Sequence, residues 1–94
     1  MNNDEPLTQE NDYRVPALQR GMAIVQMFSA QQRTLGMSDI AERLGLSISA
    51  IYRIVHTLNE MGYLRKLAKN TYELGPQVVS DGFSYLASRD IVDI

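Results

Sequence analysis

The chain has 94 residues and a formal net charge of −2, with 45% hydrophobic and 21% charged residues. This composition fits one small domain with a modest core and argues against a globally disordered chain. The absence of cysteine excludes a disulfide framework and a cysteine-based zinc site, and it fits a reducing cytoplasm. The longest apolar runs are too short to span a bilayer and the first residues do not form a signal peptide. We therefore expect a soluble, cytoplasmic protein.

The charges are unevenly distributed along the chain. Residues 1–13 carry a net charge of −4 and residues 70–94 a net charge of −3, whereas residues 14–69 carry +5. A basic middle segment is typical of a module that binds phosphate groups, although scattered surface charges would give the same count. Residues 1–13 are polar and aperiodic, so we predict a flexible acidic tail there.

Helical spacing of apolar residues begins after Pro16, which suits the first position of a helix because its missing N–H costs nothing there. The pattern predicts a helix over 16–28. Its apolar stripe contains Leu18, Met22, Val25 and Phe28, widened by Ile24. The following segment is polar and turn-like, and Thr34-Leu35 predicts a very short strand.

Capping residues and glycine stops predict two further helices. Ser38 is the predicted N-cap of a short helix over 39–44, which ends at Gly45. Ser47 is the predicted N-cap of a longer helix over 48–61, which ends at Gly62. The predicted inward side of the longer helix consists of Ile51, Ile54, Val55 and Leu58, and the spacing places Met61 on the same side. The connection over 45–47 has the length typical of a helix-turn-helix.

After Gly62 the spacing of apolar residues changes from that of a helix to that of a β-strand. Segments 63–67 and 71–74 predict a β-hairpin, and Asn70 in the connection over 68–70 tolerates the positive φ of a tight turn. Gly75-Pro76 ends the hairpin, a further helix is expected from Val78, and 90–94 is expected to start another. This order predicts a mainly α fold, a winged helix-turn-helix with a three-helix core and a wing, followed by a linker helix.

The longer helix is the predicted recognition helix, because the second helix of a helix-turn-helix lies in the major groove. Arg53 is suited to bidentate contact with guanine or to holding a phosphate. Ile48 either contacts a thymine methyl or packs on the preceding turn, and Tyr52 either contacts DNA or packs on the short helix. Because Ile48 and Ala50 are apolar, base readout is expected to depend on Arg53 and on apolar contact.

The hairpin over 63–74 is the predicted wing on the phosphate backbone, where Lys66 and Lys69 are either phosphate contacts or solubilising charges. The residues predicted to contact DNA are Ser38, Ser47, Ile48, Ser49, Ala50, Tyr52, Arg53, His56, Thr57, Lys66, Lys69, Asn70 and Arg20.

Catalytic and metal-binding signatures are not found in the sequence. His56 is the only histidine, so no histidine cluster can bind a metal, and no nucleophile–base motif or glycine-rich phosphate loop occurs. We therefore expect neither an enzyme nor a cofactor or metal site. The alternative to DNA binding is a protein-interaction module that uses the first and last helices as its interface.

Several stretches, in this order, resemble the N-terminal DNA-binding domain of the IclR family of bacterial transcriptional regulators. They are residues 15–24, 37–47, 52–53, 57–58, 62–64 and 72–76. The resemblance implies a winged helix-turn-helix that binds a palindromic or direct-repeat operator as a dimer. It also implies a linker helix that leads to a C-terminal domain for a small-molecule effector. It thus divides the chain into a DNA-binding domain over 14–76 and a linker start over 77–94, and we expect the chain to be part of a longer regulator.

Overall fold

The computed structural model describes residues 13–89. Residues 1–12 of the acidic tail predicted over 1–13, and the helix predicted over 90–94, lie outside this range. Within it the elements are α1 (Pro16–Val25), β1 (Leu35–Gly36), α2 (Met37–Leu44), α3 (Ile48–Met61), β2 (Leu64–Ala68), β3 (Thr71–Leu74) and α4 (Gln77–Ser88). This order confirms the predicted mainly α fold with a small β-hairpin.

The three strands form one antiparallel sheet in the order β1-β3-β2. Ala68 pairs with Thr71, so the hairpin turn is shorter than the predicted connection by one residue. Asn70 adopts a φ of 59° in this turn, as its residue type predicted. The predicted short strand is present as well, shifted by one residue to Leu35–Gly36, and it pairs with β3.

The start of α2 differs from the prediction. Ser38 is not the N-cap but lies inside the helix, which begins at Met37 with Gly36 as its N-cap. The Asp39 carboxylate accepts a hydrogen bond from the Gly36 N–H at 3.0 Å, which is the half of a capping box that a glycine N-cap allows. Met37 is buried in the core. The helix starts directly after β1, and its first residue, Met37, packs into the core.

The end signals of α2 and α3 agree with the prediction. Gly45 and Gly62 adopt φ values of 69° and 87°, the left-handed conformation that ends a helix. The Ser47 hydroxyl accepts a hydrogen bond from the Ala50 N–H at 3.2 Å, which confirms Ser47 as the N-cap of α3. These local contacts explain why α3 has the predicted bounds.

The core lies between α1, α2, α3 and the sheet. Ile24, Ile40, Ile51, Val55 and Leu64 are its most fully buried large side chains. In α3 the predicted inward residues Ile51, Val55 and Leu58 are buried, Ile54 is half-buried, and the side chain of Met61 is 56% exposed.

The apolar stripe of α1 is placed differently from the prediction. The helix ends at Val25 instead of residue 28, yet Phe28 is still buried. Leu18 and Met22 are exposed, whereas Gly21 and Ile24 are buried. A Cβ added at Gly21 would lie 3.7 Å from Ile54 and 3.9 Å from Leu58, so α1 approaches α3 closely along this line. The close approach at Gly21 turns Leu18 and Met22 away from the core.

Candidate nucleic-acid interface

Helix α3 packs with one side on α1, α2 and β2 and exposes the other side. The exposed residues of α3 are Ile48, Ser49, Ala50, Tyr52, Arg53, His56, Thr57, Glu60 and Met61. Every residue of α3 that the sequence predicted for DNA contact belongs to this exposed set. The helix therefore presents to solvent the side chains that a recognition helix would use.

The start of α3 combines two hydroxyl groups with free backbone donors. Ser47 Oγ lies 3.1 Å from Ser49 Oγ and is also the acceptor for the Ala50 N–H. The first N–H groups of a helix have no intrahelical partner and attract anions, an effect that the helix dipole strengthens. Both serines are exposed, so this end of the helix is suited to a phosphate group.

The middle of α3 carries a stacked aromatic pair next to an acidic residue. The rings of Tyr52 and His56 stack with a centroid distance of 6.3 Å and an interplanar angle of 8°. Tyr52 is exposed and orders the imidazole instead of being part of the core. His56 Nε2 lies 3.3 Å from a carboxylate oxygen of Glu60, one turn further along. Glu60 therefore places a negative charge on the predicted recognition face, a placement that the sequence analysis did not assign.

Arg53 and Thr57 form a second line on α3, on the side of α1. The Thr57 hydroxyl donates a hydrogen bond to the Arg53 carbonyl oxygen at 2.7 Å. This hydroxyl therefore remains available to DNA chiefly as an acceptor. A groove of about 760 Å³ separates this side of α3 from α1, and its walls include Arg20, Ala50, Arg53 and Thr57. The structure thus brings Arg20 to the same groove as Arg53.

A second groove of about 310 Å³ lies between α3 and the hairpin. It is lined by Tyr52, His56, Asn59, Lys66, Asn70 and Tyr72. Tyr72 is buried, and burial together with the nearby Tyr52 raises the pKa of its hydroxyl. Sequence reasoning missed Asn59 and Tyr72. The spacing of Tyr52, His56 and Asn59, four and then three residues apart, was a signal that could have placed Asn59 on this side.

The remaining predicted contacts divide between the hairpin and α2. Lys66, Lys69 and Asn70 are exposed on the hairpin. Arg65 lies in the basic segment over 14–69. It is paired with Glu73 across the hairpin, and Arg65 Nε lies 2.8 Å from Glu73 Oε2. Its guanidinium is therefore paired within the wing. Ser38 is exposed on α2 and lines neither groove.

Residues 13–89 contain neither a metal-ligand cluster nor a membrane-spanning helix. No group of three or more histidine, cysteine or acidic side chains in this range could hold a metal ion. None of the helices in the same range is both long enough and apolar enough to cross a membrane.

A helix-turn-helix formed by α2 and α3, followed by the β2–β3 hairpin, defines a winged helix-turn-helix domain with an exposed recognition helix. Residues 17–68 match the IclR helix-turn-helix domain family. The chain belongs to this family, and it is a DNA-binding domain of a transcriptional regulator.

Relatives of the chain support this assignment. It is 35% identical over 75 residues to the Pca regulon regulatory protein of Pseudomonas putida, covering 80% of this chain and 25% of that protein. It is 33% identical over 78 residues to the glycerol operon regulatory protein of Streptomyces coelicolor, covering 82% of this chain and 31% of that protein. A crystal structure of an IclR family regulator from Brucella abortus superposes with a TM-score of 0.74 at 34% identity, covering 83% of this chain and 30% of that one.

The chain therefore spans about a quarter to a third of the length of these relatives. The curated relatives are regulatory proteins and not enzymes. Family membership also decides between DNA binding and the alternative of a protein-interaction module, in favour of DNA binding.

Proposed function

We propose that the domain recognises a specific operator as a homodimer, with α3 in the major groove and the β2–β3 hairpin as a wing on the phosphate backbone. The observation that carries the proposal is the exposed face of α3, on which Arg53 lines a groove beside α1 while Tyr52 and His56 line a groove beside the hairpin. Each groove has a cationic side chain among its lining residues outside α3, Arg20 on α1 and Lys66 on β2. A helix flanked in this way is suited to bases in its middle and to phosphates on either side.

Within this arrangement the predicted residues have distinct roles. Arg53 reads a guanine, and Ile48 and Ala50 offer apolar contact to a thymine methyl. Ser47 and Ser49 hold a phosphate at the start of α3, and Ser38 contacts the backbone from α2. Tyr52, His56 and Thr57 contact base edges or sugar–phosphate along α3. Arg20, Lys66, Lys69 and Asn70 contact phosphates on the two sides of the helix.

Exposed apolar side chains on α1 and α4 support the homodimer. Leu18 and Met22 are 64% and 50% exposed, and Val79 and Phe83 are 60% and 62% exposed. None of the residues in α4 is buried, although a helix of this length is marginally stable unless an apolar face is packed. Sedimentation of the chain alone and with an operator of two half-sites tests this part. Only monomers and 1:1 complexes would contradict it.

For the whole protein we propose a cytoplasmic regulator in which α4 connects the DNA-binding unit over 14–76 to a domain that binds a small metabolite. The relatives named for the pca regulon and for a glycerol operon support a link to small-molecule metabolism. The test is operator binding by the full gene product with and without candidate organic acids and polyols. Binding that no such compound changes would refute the effector part alone.

DNA binding itself is tested with an operator selected from a random pool and titrated at several salt concentrations. Each phosphate contact contributes roughly 0.9 to the slope of log affinity against log salt concentration. We expect a steep slope for the selected operator and weaker binding to unrelated DNA. A domain with no salt-dependent binding would overturn the proposal.

Arg53→Ala tests the central contact. We expect a loss of about 1–3 kcal/mol in operator binding and relaxed preference at one base position, because a bidentate contact with guanine is removed. Arg89→Ala is the charge-matched control. Arg89 packs over Tyr85 at the far end of α4, about 18 Å along that helix from its start, and we expect little change there. Equal effects of the two substitutions would show that only net charge matters.

A further inference from the structure

The wing is tied to the recognition helix by one side-chain hydrogen bond. In the sheet order β1-β3-β2, strand β2 is an edge strand, and backbone groups along an edge need partners outside the sheet. On this edge the Lys66 N–H donates to Asn59 Oδ1 at 3.0 Å. Asn59 thus takes the place of a neighbouring strand at Lys66, within the exposed part of the wing.

Asn59 also belongs to the turn between α3 and β2. Its carbonyl oxygen accepts from the Gly62 N–H at 3.2 Å, and the neighbouring Leu58 carbonyl accepts from the Tyr63 N–H at 2.9 Å. The side chain is half-buried and lines the groove between α3 and the wing. Asn59 therefore connects the helix end to the hairpin through both its backbone and its side chain.

We propose that Asn59 is a positioning residue that sets the angle of the wing against α3, so that Lys66 and Lys69 reach phosphates while α3 occupies the major groove. This inference rests on the proposed mode of DNA binding. Lys69 lies three residues beyond Lys66, or about 10 Å along a strand, so a rotation of about 20° at Lys66 displaces the tip by about 3 Å. A hydrogen bond to a phosphate oxygen tolerates only a much smaller change in donor–acceptor distance, so this displacement would break it.

The first test uses the free domain. Asn59→Ala removes the acceptor, whereas Asn59→Asp keeps an oxygen at the same position. We expect the Lys66 amide to lose protection from hydrogen exchange in Asn59→Ala and to keep it in Asn59→Asp, while amides inside the β2–β3 ladder stay protected in both. Unchanged protection of the Lys66 amide in Asn59→Ala would overturn the inference.

The second test measures whether the wing still reaches DNA. In the wild-type domain Lys69→Ala should reduce the slope of log affinity against log salt by about 1. In the Asn59→Ala background we expect Lys69→Ala to leave this slope unchanged. In the Asn59→Asp background we expect Lys69→Ala to reduce the slope again, as in the wild type. The effect of Arg53→Ala should be the same in all three backgrounds, because α3 itself is not displaced.

If Asn59 only stabilised the fold, Asn59→Ala would reduce the effects of both Arg53→Ala and Lys69→Ala on DNA binding. That outcome would overturn the inference. Additive effects of Asn59→Ala and Lys69→Ala on the slope of log affinity against log salt would also overturn the inference. If Asn59→Ala does not fold, Asn59→Leu provides a second variant that has similar size, better helix propensity and no acceptor. Absence of salt-dependent binding by the wild-type domain is a different result, since it overturns the proposed function itself.

Discussion

Gly75→Ala tests the junction between the wing and α4. A Cβ added at Gly75 would lie 2.2 Å from the Gly62 carbonyl oxygen and 3.0 Å from that of Leu64. Both neighbours are backbone atoms, so no side-chain rotation can relieve the clash. The same backbone is held by hydrogen bonds from the Gly75 N–H to the Tyr63 carbonyl and from the Gln77 N–H to the Gly62 carbonyl, each 2.9 Å long. Alanine at this position therefore forces the end of β3 away from the turn after α3.

The expected cost of Gly75→Ala combines overpacking, about 1–3 kcal/mol, with weakening of two backbone hydrogen bonds, about 0.5–1.5 kcal/mol each. We expect the free energy of unfolding to fall by about 2–6 kcal/mol. In a domain of this size such a loss lowers the Tm by at least about 8 °C.

Thermal unfolding followed by circular dichroism measures this effect. Gly82→Ala is the matched control, because a Cβ at Gly82 meets nothing within 4 Å. Gly82 lies inside α4, where replacing glycine by alanine is expected to raise stability by about 0.5–1 kcal/mol. A Gly75→Ala domain that melts at or above the wild-type temperature would refute the geometry of this junction.

Three further predictions concern single contacts. Ser47→Ala removes the N-cap of α3 and should cost about 1 kcal/mol of stability; an unchanged Tm would contradict the cap. Glu60→Gln removes the negative charge beside His56 and should tighten DNA binding, most at low salt; equal affinity at low salt would place Glu60 away from DNA. Tyr63→Phe should raise the pKa of the Asp81 carboxyl, which the Tyr63 hydroxyl and then the Gln77 amide hold below its ordinary value, and titration of this carboxyl by NMR measures the shift. The stabilisation from the lowered pKa of Asp81 is present above the ordinary carboxyl pKa and is lost as pH falls through the lowered value, so the difference in stability between wild type and Tyr63→Phe should shrink at acid pH.

Much of the candidate site could be predicted from residue type and helical spacing. Tyr52, Arg53 and His56 lie on the exposed side of α3, because Ile51, Val55 and Leu58 fix the opposite side in the core. The electrostatic partners could not be predicted in this way. Arg65 is paired with Glu73, a residue eight positions away, and this pairing depends on the register of the hairpin.

The sequence alone determined the features that depend on a few neighbouring residues. Ser47 and Gly62 set the bounds of α3, because a hydroxyl cap and a left-handed glycine act within one turn of a helix. Asn70 determined the hairpin turn in the same way, because its residue type tolerates the positive φ that the turn requires.

Only the tertiary structure decided which face of α1 is buried, where α2 begins and which contacts join separate elements. The close approach of α1 to α3 at Gly21 exposes Leu18 and Met22, and the packing of Met37 into the core moves the start of α2 ahead of Ser38. The bond from Lys66 to Asn59 exists because β2 is an edge strand beside α3. Burial and edge contacts depend on the partner element, and a residue's own neighbours in the chain carry no information about which element that will be.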